Sequence, residues 1–263
     1  MGRQTNTIHR KDIKRTVQVT RYVLNLIGVW PSQDNSSAFR IAQIKIFRIL
    51  CQALLYFIFV PGVLKMFFKE TNTRRRFKMI GPMCNCLMAM LKHATLICRG
   101  DRIKDCIKHI EEDWRKLNLA KDRRIMMGNS RIGRNLAILS VAFVYGSGFS
   151  YRTIMPLSRG VIITPQNVTI RPMGFDGYYG FFDPQKTPAY EIIFILQFFS
   201  GFMQYSISSG TCSLAALLVL HACGQLKILI ARMKDLTQIK YFYDKNANQK
   251  LAAVVRQHIR IKR

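Results

Sequence analysis

From Ile192 to Leu226, thirty-five residues pass without an Asp, Glu, Lys or Arg. As an α-helix at ~1.5 Å per residue this run reaches roughly 50 Å, beyond the ~30 Å hydrocarbon core of a bilayer. Soluble domains seldom bury so long an uncharged segment, whereas a membrane helix that tilts, bends or projects from the bilayer accommodates it. Gly201, Gly210 and Gly224 are its candidate bending or close-packing points. The expected fold class is therefore all-α, a polytopic transmembrane helix bundle.

Charge agrees once its distribution is considered. The 263 residues are 49% hydrophobic, yet carry 41 Lys and Arg against 14 Asp and Glu, a formal charge of +27. A soluble chain so basic would be expected to bind nucleic acid. Here the bases cluster between apolar blocks rather than along one amphipathic face, so the expected partner is the lipid bilayer and not nucleic acid. The first forty residues hold seven Lys/Arg and no apolar core beside a small-residue cleavage site, so no secretory signal is expected there and insertion falls to the first internal span.

Four spans are expected. Residues 1–40 read as a cytoplasmic segment in which Tyr22 to Trp30 form an amphipathic turn or two at the membrane surface. The first span covers 41–64, with Lys45, Arg48 and Lys65 reaching toward headgroups and Pro61-Gly62 able to kink or end it. A short outer loop, 65–76, leads to the second span, 77–97, which contains Gly81-Pro82 and places Lys92 and His93 toward the interface. Residues 98–134 form a charged helical connection, where Ile103, Cys106, Ile107, Ile110, Trp114 and Leu117 recur at helical spacing. The third span is 135–156, closed by Arg152 and Pro156, with Gly146-Ser147-Gly148 permitting close helix contact. An outer loop rich in proline and glycine, 157–189, precedes the fourth span with its extension, 190–226, and a basic segment, 227–263.

The segments 1–40, 98–134 and 227–263 hold 28 Lys/Arg, against 9 in 65–78 and 157–189. The positive-inside rule then puts the amino terminus in the cytoplasm. Lys65, Lys69, Arg74, Arg75, Arg76 and Lys78 crowd the outer side against that rule, with the capping of helix turns as their only evident use. On this orientation the sequon at Asn167 lies outside and is a glycosylation candidate, while that at Asn35 lies inside. The cysteines (Cys51, Cys84, Cys86, Cys98, Cys106, Cys212, Cys223) avoid both outer segments, so no disulfide framework is expected.

Several local patterns resemble the insect odorant receptor family. Leu26-Ile27-Gly28-Val29-Trp30-Pro31 resembles that family's pre-membrane segment. Phe182-Asp183 with Pro188, Ala189, Tyr190, Glu191 and Gln197 resembles the approach to its fourth helix, although Gly180-Phe181 stands where the family often has Tyr-Pro. His221-Ala222-Cys223-Gly224-Gln225-Leu226 and Val255-Arg256-Gln257-His258-Ile259 resemble the exit from that helix and the approach to a fifth. The resemblance implies a seven-span receptor of the plasma membrane with a cytoplasmic amino terminus, here ending before the fifth helix. It also implies a volatile small-molecule odorant as ligand, a co-receptor subunit as partner and ligand-gated cation conduction in olfactory neurons. A gustatory receptor-like chemoreceptor, a non-functional truncated product and a transporter fragment are the alternatives.

By the same resemblance the odorant pocket lies in the outer half of the second, third and fourth helices. That places Met83, Met88, Tyr145, Phe149, Tyr151, Phe194, Phe198, Phe202 and Tyr205 as candidate ligand contacts. Aromatic and sulfur surface suits an apolar odorant, and Tyr145 or Tyr205 could orient a polar one. The same residue types also pack between membrane helices, and that alternative stands beside each candidate. Asp183 and Glu191 are expected to be solvated or to anchor the outer loop, and His221 to bond a neighbouring helix. Neither an enzyme nor a cofactor or metal is expected: the spans lack convergent carboxylates, the histidines (His9, His93, His109, His221, His258) are scattered, and no phosphate-binding, zinc-protease or nucleophile-elbow motif occurs.

Overall fold

The computed structural model describes residues 2–31, 37–117, 119–160, 162–163, 169–180, 183–238, 252 and 255. Asn167 and the segment Val255 to Ile259, apart from Val255 itself, lie outside the described residues. Helix α1 spans Gly2–Leu26, α2 Ala38–Leu64, α3 Thr73–Cys98, α4 Gly100–Arg115, α5 Ala120–Phe149, α6 Met155–Arg159 and α7 Ala189–Gln238. Two-residue strands, β1 at Ile162–Ile163 and β2 at Thr169–Ile170, pair antiparallel with Ile162 opposite Ile170. Among the described residues everything else regular is helix, so the fold is an all-α membrane bundle. Three stretches are long and apolar enough to cross a bilayer: Ala38–Lys69, Ala120–Ser158 and Ala189–Asp235.

The helices run past several of the expected span limits, each for an identifiable reason. The amino-terminal segment is a helix of 25 residues rather than a turn or two. Its buried positions include Asp12, Thr16, Thr20, Val23 and Leu24, at helical spacing, but the first three are polar and give no hydrophobic signal. Pro61 does not end the first long helix, which runs on through a π-turn at Lys65–Lys69. Arg152 and Pro156 likewise do not close the third: α5 passes through a π-turn, Ser150–Ile154, into α6, where Pro156 fits because the first helical turn needs no amide there. Cys106, expected on the buried stripe of α4, is exposed.

The helix starts are specified locally. Ser37 caps α2 through its side chain, accepting from the Arg40 amide at 3.4 Å. Asn72 caps α3 in the same way, accepting from Arg74 N at 3.0 Å. The basic cluster between these helices finds partners as well as turns to cap. Lys65 pairs with Asp176 at 3.2 Å, Lys69 lies 5.0 Å from the Tyr178 ring centre, and Arg76 donates to the Glu70 carbonyl.

The chain forms two compact units, and α1, α4, α5 and α7 contribute residues to both. One unit comprises residues 21–103 and 139–212. Its long helices are inverted relative to a soluble protein. On α7, Gln197, Ser200, Gln204, Ser206 and Ser209 are buried while Ile192, Ile195 and Phe199 are exposed. On α2, Ile46, Ile49, Leu50 and Val60 are exposed too. Water would not tolerate so many aliphatic side chains outside small polar ones, whereas lipid does, because helices in a bilayer associate through small residues and internal hydrogen bonds. Ser200 Oγ, donating to the Leu54 carbonyl at 2.7 Å, is one such bond. His93 and Arg48, expected to reach the interface, turn inward. His93 is fully buried, with Nδ1 3.0 Å from Gln52 Oε1 and Nε2 3.4 Å from the Ile27 carbonyl, and Arg48 Nε donates to the Gly28 carbonyl at 2.8 Å.

The other unit comprises residues 1–20, 104–138 and 213–263. It is organised as a protein in water would be. Trp114, Met126, Ala137, Leu214, Leu217 and Ile228 are buried. Around them lie ion pairs from Arg123 to Asp12, Arg232 to Asp122 and Lys121 to Asp235, the last at 3.1 Å. His221 bonds across to α4, with Nε2 3.1 Å from Asp113 Oδ2. The α7 helix therefore carries a lipid-suited surface over its first half and an ion-paired one beyond Ser213, which is why it outruns the uncharged stretch and continues to Gln238.

Candidate functional site: an aromatic cluster beside an arginine

Within the unit of residues 21–103 and 139–212, α5 and α7 approach closely at Gly148. A Cβ built there would lie 2.2 Å from Tyr205 Cζ, so the glycine is what lets the Tyr205 ring lie flat on the α5 backbone. The ring is held by its hydroxyl, which donates to the Gly148 carbonyl at 2.8 Å. Tyr145, one turn earlier on α5, places its hydroxyl 2.6 Å from Ser206 Oγ. Its ring meets Phe202 edge-on at 5.6 Å and Tyr205 at 6.1 Å. Phe149 and Phe198 extend the cluster at 6.3 Å.

Five of the nine sequence candidates, Tyr145, Phe149, Phe198, Phe202 and Tyr205, thus come together between two helices. Phe194 stacks on Tyr190 at 6.0 Å and borders a small cavity next to the cluster. Met83 is placed elsewhere, buried with Ile58 and Phe175 beneath Gly62. Met88 and Tyr151 are exposed. Both tyrosines singled out as needing a ligand partner have found one in the protein. Tyr205→Phe is accordingly expected to lower stability by about 1 kcal/mol, the net worth of one intramolecular hydrogen bond, with little change in ligand preference. Thermal unfolding in detergent, set beside ligand binding, checks this, and a selective loss of polar ligands would contradict it.

The segment between α6 and α7 packs into this unit beside the cluster. Gln197 on α7 accepts from Phe175 N at 3.1 Å and donates to Phe175 O at 2.6 Å, both through its side chain. The Phe175 ring is thereby held down on Ile58 and Met83, and Tyr178 N donates to the carbonyl of Pro61 at 2.9 Å. Burial pushes the Tyr179 phenol above its ordinary value, opposed by a hydrogen bond with Gln197 and assisted by the Asp176 carboxylate, so it stays neutral at physiological pH. Glu191 anchors the loop rather than standing free, bonding Arg171 and Thr187 at 3.1 Å each, and Asp183 accepts from Gln185 N at 2.9 Å.

Sequence reading missed Arg152, treated there only as the end of a span. Its Nη2 donates to Gln204 Oε1 at 2.6 Å, and its guanidinium lies 5.8 Å from the Tyr205 ring centre. With Thr153, Gly174, Phe194, Gln197 and Phe198 it lines the small cavity, which has room for about one water molecule. The available signal was the pair Gln197 and Gln204, seven residues apart on one face of an otherwise apolar helix. Among the described residues no group of three His, Cys, Asp or Glu stands close enough to hold a metal ion.

The same architecture occurs in solved structures. The insect olfactory receptor OR5 from Machilis hrabei superposes with a TM-score of 0.68 at 17% identity. Its complex with eugenol gives 0.68 at 16%. In both comparisons 96% of this chain is covered but only 62% of the receptor, so the chain spans less than two thirds of the length of the proteins it resembles. No match is found among curated proteins. The profile described as 7tm Odorant receptor matches residues 72–263, well over half of the sequence, and the chain belongs to that family of membrane chemoreceptors.

Proposed function

We propose that this chain is the odorant-binding portion of a receptor subunit of the plasma membrane in olfactory neurons, acting with a co-receptor subunit as a ligand-gated cation channel. The observation that carries this reading is the aromatic cluster of Tyr145, Phe149, Phe198, Phe202 and Tyr205, set between two helices of a lipid-suited bundle. Rings at edge-on spacing offer apolar, polarisable walls with few competing donors, the surface that small volatile molecules recognise. The eugenol complex of the Machilis hrabei receptor supports a small-molecule ligand for this architecture.

The membrane topology belongs to the same proposal. Helix α3, with Arg74, Arg75, Arg76 and Lys78 in its first turns, joins the three longer apolar helices as a span. The 28 to 9 imbalance of Lys/Arg sets the amino terminus in the cytoplasm. On that orientation the cluster lies toward the outside.

Binding to the purified chain in lipid nanodiscs tests the reading, with a panel of volatile hydrocarbons, alcohols, esters and acids. Saturable binding of at least one class, weakened by Phe202→Ala, is the expected result. Absence of saturable binding by every class, from a chain whose circular dichroism remains helical, would overturn it.

A further inference from the structure

Arg152 is a charged side chain set against the aromatic cluster, over the Tyr205 ring, and its hydrogen-bonding capacity is not used up. Its Nη1 is buried without a partner, and so is Gln204 Nε2, on the residue whose Oε1 receives Arg152 Nη2. Both unsatisfied atoms are donors. Lys65 pairs with Asp176 and Arg171 with Glu191, whereas among the described residues no carboxylate forms an ion pair with Arg152. A charged group in a membrane bundle is costly, and one that faces the interior without a counter-ion marks a place where an anion or strong acceptor binds.

The backbone has been cleared for this guanidinium. At Gly201 an added Cβ would lie 3.0 Å from Arg152 Nη1 and 3.1 Å from its Cδ. Gln197, which could have competed as an acceptor, is committed through both side-chain atoms to the backbone of Phe175. The adjoining space, with room for about one water molecule, admits a single ligand oxygen rather than a whole molecule. Phe198 borders that space and also packs on Phe149, so a hydrocarbon tail running back from that oxygen meets the aromatic cluster directly.

We propose that Arg152 and Gln204 form an acceptor-reading end of the ligand site, and that the ligand class it selects is small carboxylic acids, held as carboxylates with their tails along the rings. A guanidinium offers two parallel donors to a carboxylate, and the Gln204 amide supplies a further one. This inference rests on the odorant-binding reading above, and its test separates the two.

The probes are hexanoate, methyl hexanoate, 1-hexanol and hexane, titrated into the chain in nanodiscs at neutral pH. The wild type is expected to bind hexanoate more tightly than the other three. Arg152→Gln is expected to weaken hexanoate by about tenfold to a hundredfold, the range for losing hydrogen bonds to a charged group, while leaving hexane unchanged. Gln204→Met, similar in length but without the donor, is expected to weaken hexanoate severalfold with the same selectivity, and it keeps the proposal testable should the arginine variant not fold. If hexane or hexanol binds and hexanoate does not, the acid site is wrong and the receptor reading survives. If none of the four binds and the wider volatile panel also fails, both are wrong. Equal losses for all probes, or a lowered unfolding temperature with unchanged selectivity, would assign Arg152 to packing and overturn the proposal.

Discussion

Trp114→Ala is expected to remove about 3–5 kcal/mol of stability from the ion-paired unit, the cost of deleting a large aromatic side chain from a core. Trp114 is 1% exposed and lines a cavity with Met126, Ala137 and Leu217, so its removal enlarges a void already present in this core. Trp114→Phe is expected to cost much less, under about 1.5 kcal/mol, because a ring is kept and a penalty is removed. The indole Nε1 is buried with no acceptor, so phenylalanine relieves an unsatisfied donor while losing some volume. The check is the unfolding midpoint of the three proteins in detergent, followed by far-ultraviolet circular dichroism. Similar midpoints for the alanine and phenylalanine variants would show that Trp114 does not hold this core.

What the sequence discloses about this molecule divides along physical lines. Helices that meet lipid advertise themselves, because the bilayer demands a long uncharged surface; Ile192 to Leu226 could hardly be anything else. Helices that meet protein do not. The buried face of α1 includes Asp12, Thr16 and Thr20, whose partners Arg123, Ser130 and the Ser213 carbonyl are more than a hundred residues away. The charged ends of α5 and α7 are silent for the same reason: Asp122 with Arg232, and Lys227 with Asn129, support helix there through pairing that hydropathy cannot register. The site shows the same division. Ring-bearing residues on the apolar helices are visible by type, and five of them do converge. Their satisfied hydroxyls, the glycine beneath Tyr205 and the arginine beside it depend on how α5 meets α7, a relation no local pattern carries.

Gly148→Val is expected to be the most damaging single change at the site, for reasons of geometry rather than chemistry. Even the first added carbon would lie 2.2 Å, 2.4 Å and 2.6 Å from three ring atoms of Tyr205, a separation no side-chain carbon tolerates. The ring cannot escape as a flexible chain would, because it is rigid and tied by its hydroxyl to the Gly148 carbonyl. Either α5 and α7 separate or Tyr205 rotates out, breaking that bond and its edge-on contact with Tyr145. Overpacking costs typically ~1–3 kcal/mol, and the lost hydrogen bond adds about 1 kcal/mol more. Displacing Tyr205 also uncovers the face over which Arg152 lies, so ligands of every class should bind more weakly, in contrast to the selective loss expected of Arg152→Gln. The informative control is the double variant Gly148→Val with Tyr205→Ala. If the clash is the cause, removing the ring restores much of the unfolding midpoint lost in the single variant, even though Tyr205→Ala alone is destabilising. Additive losses instead would mean that Gly148 matters for something other than room for Tyr205, and the close approach of α5 and α7 would lose its role as the foundation of the site.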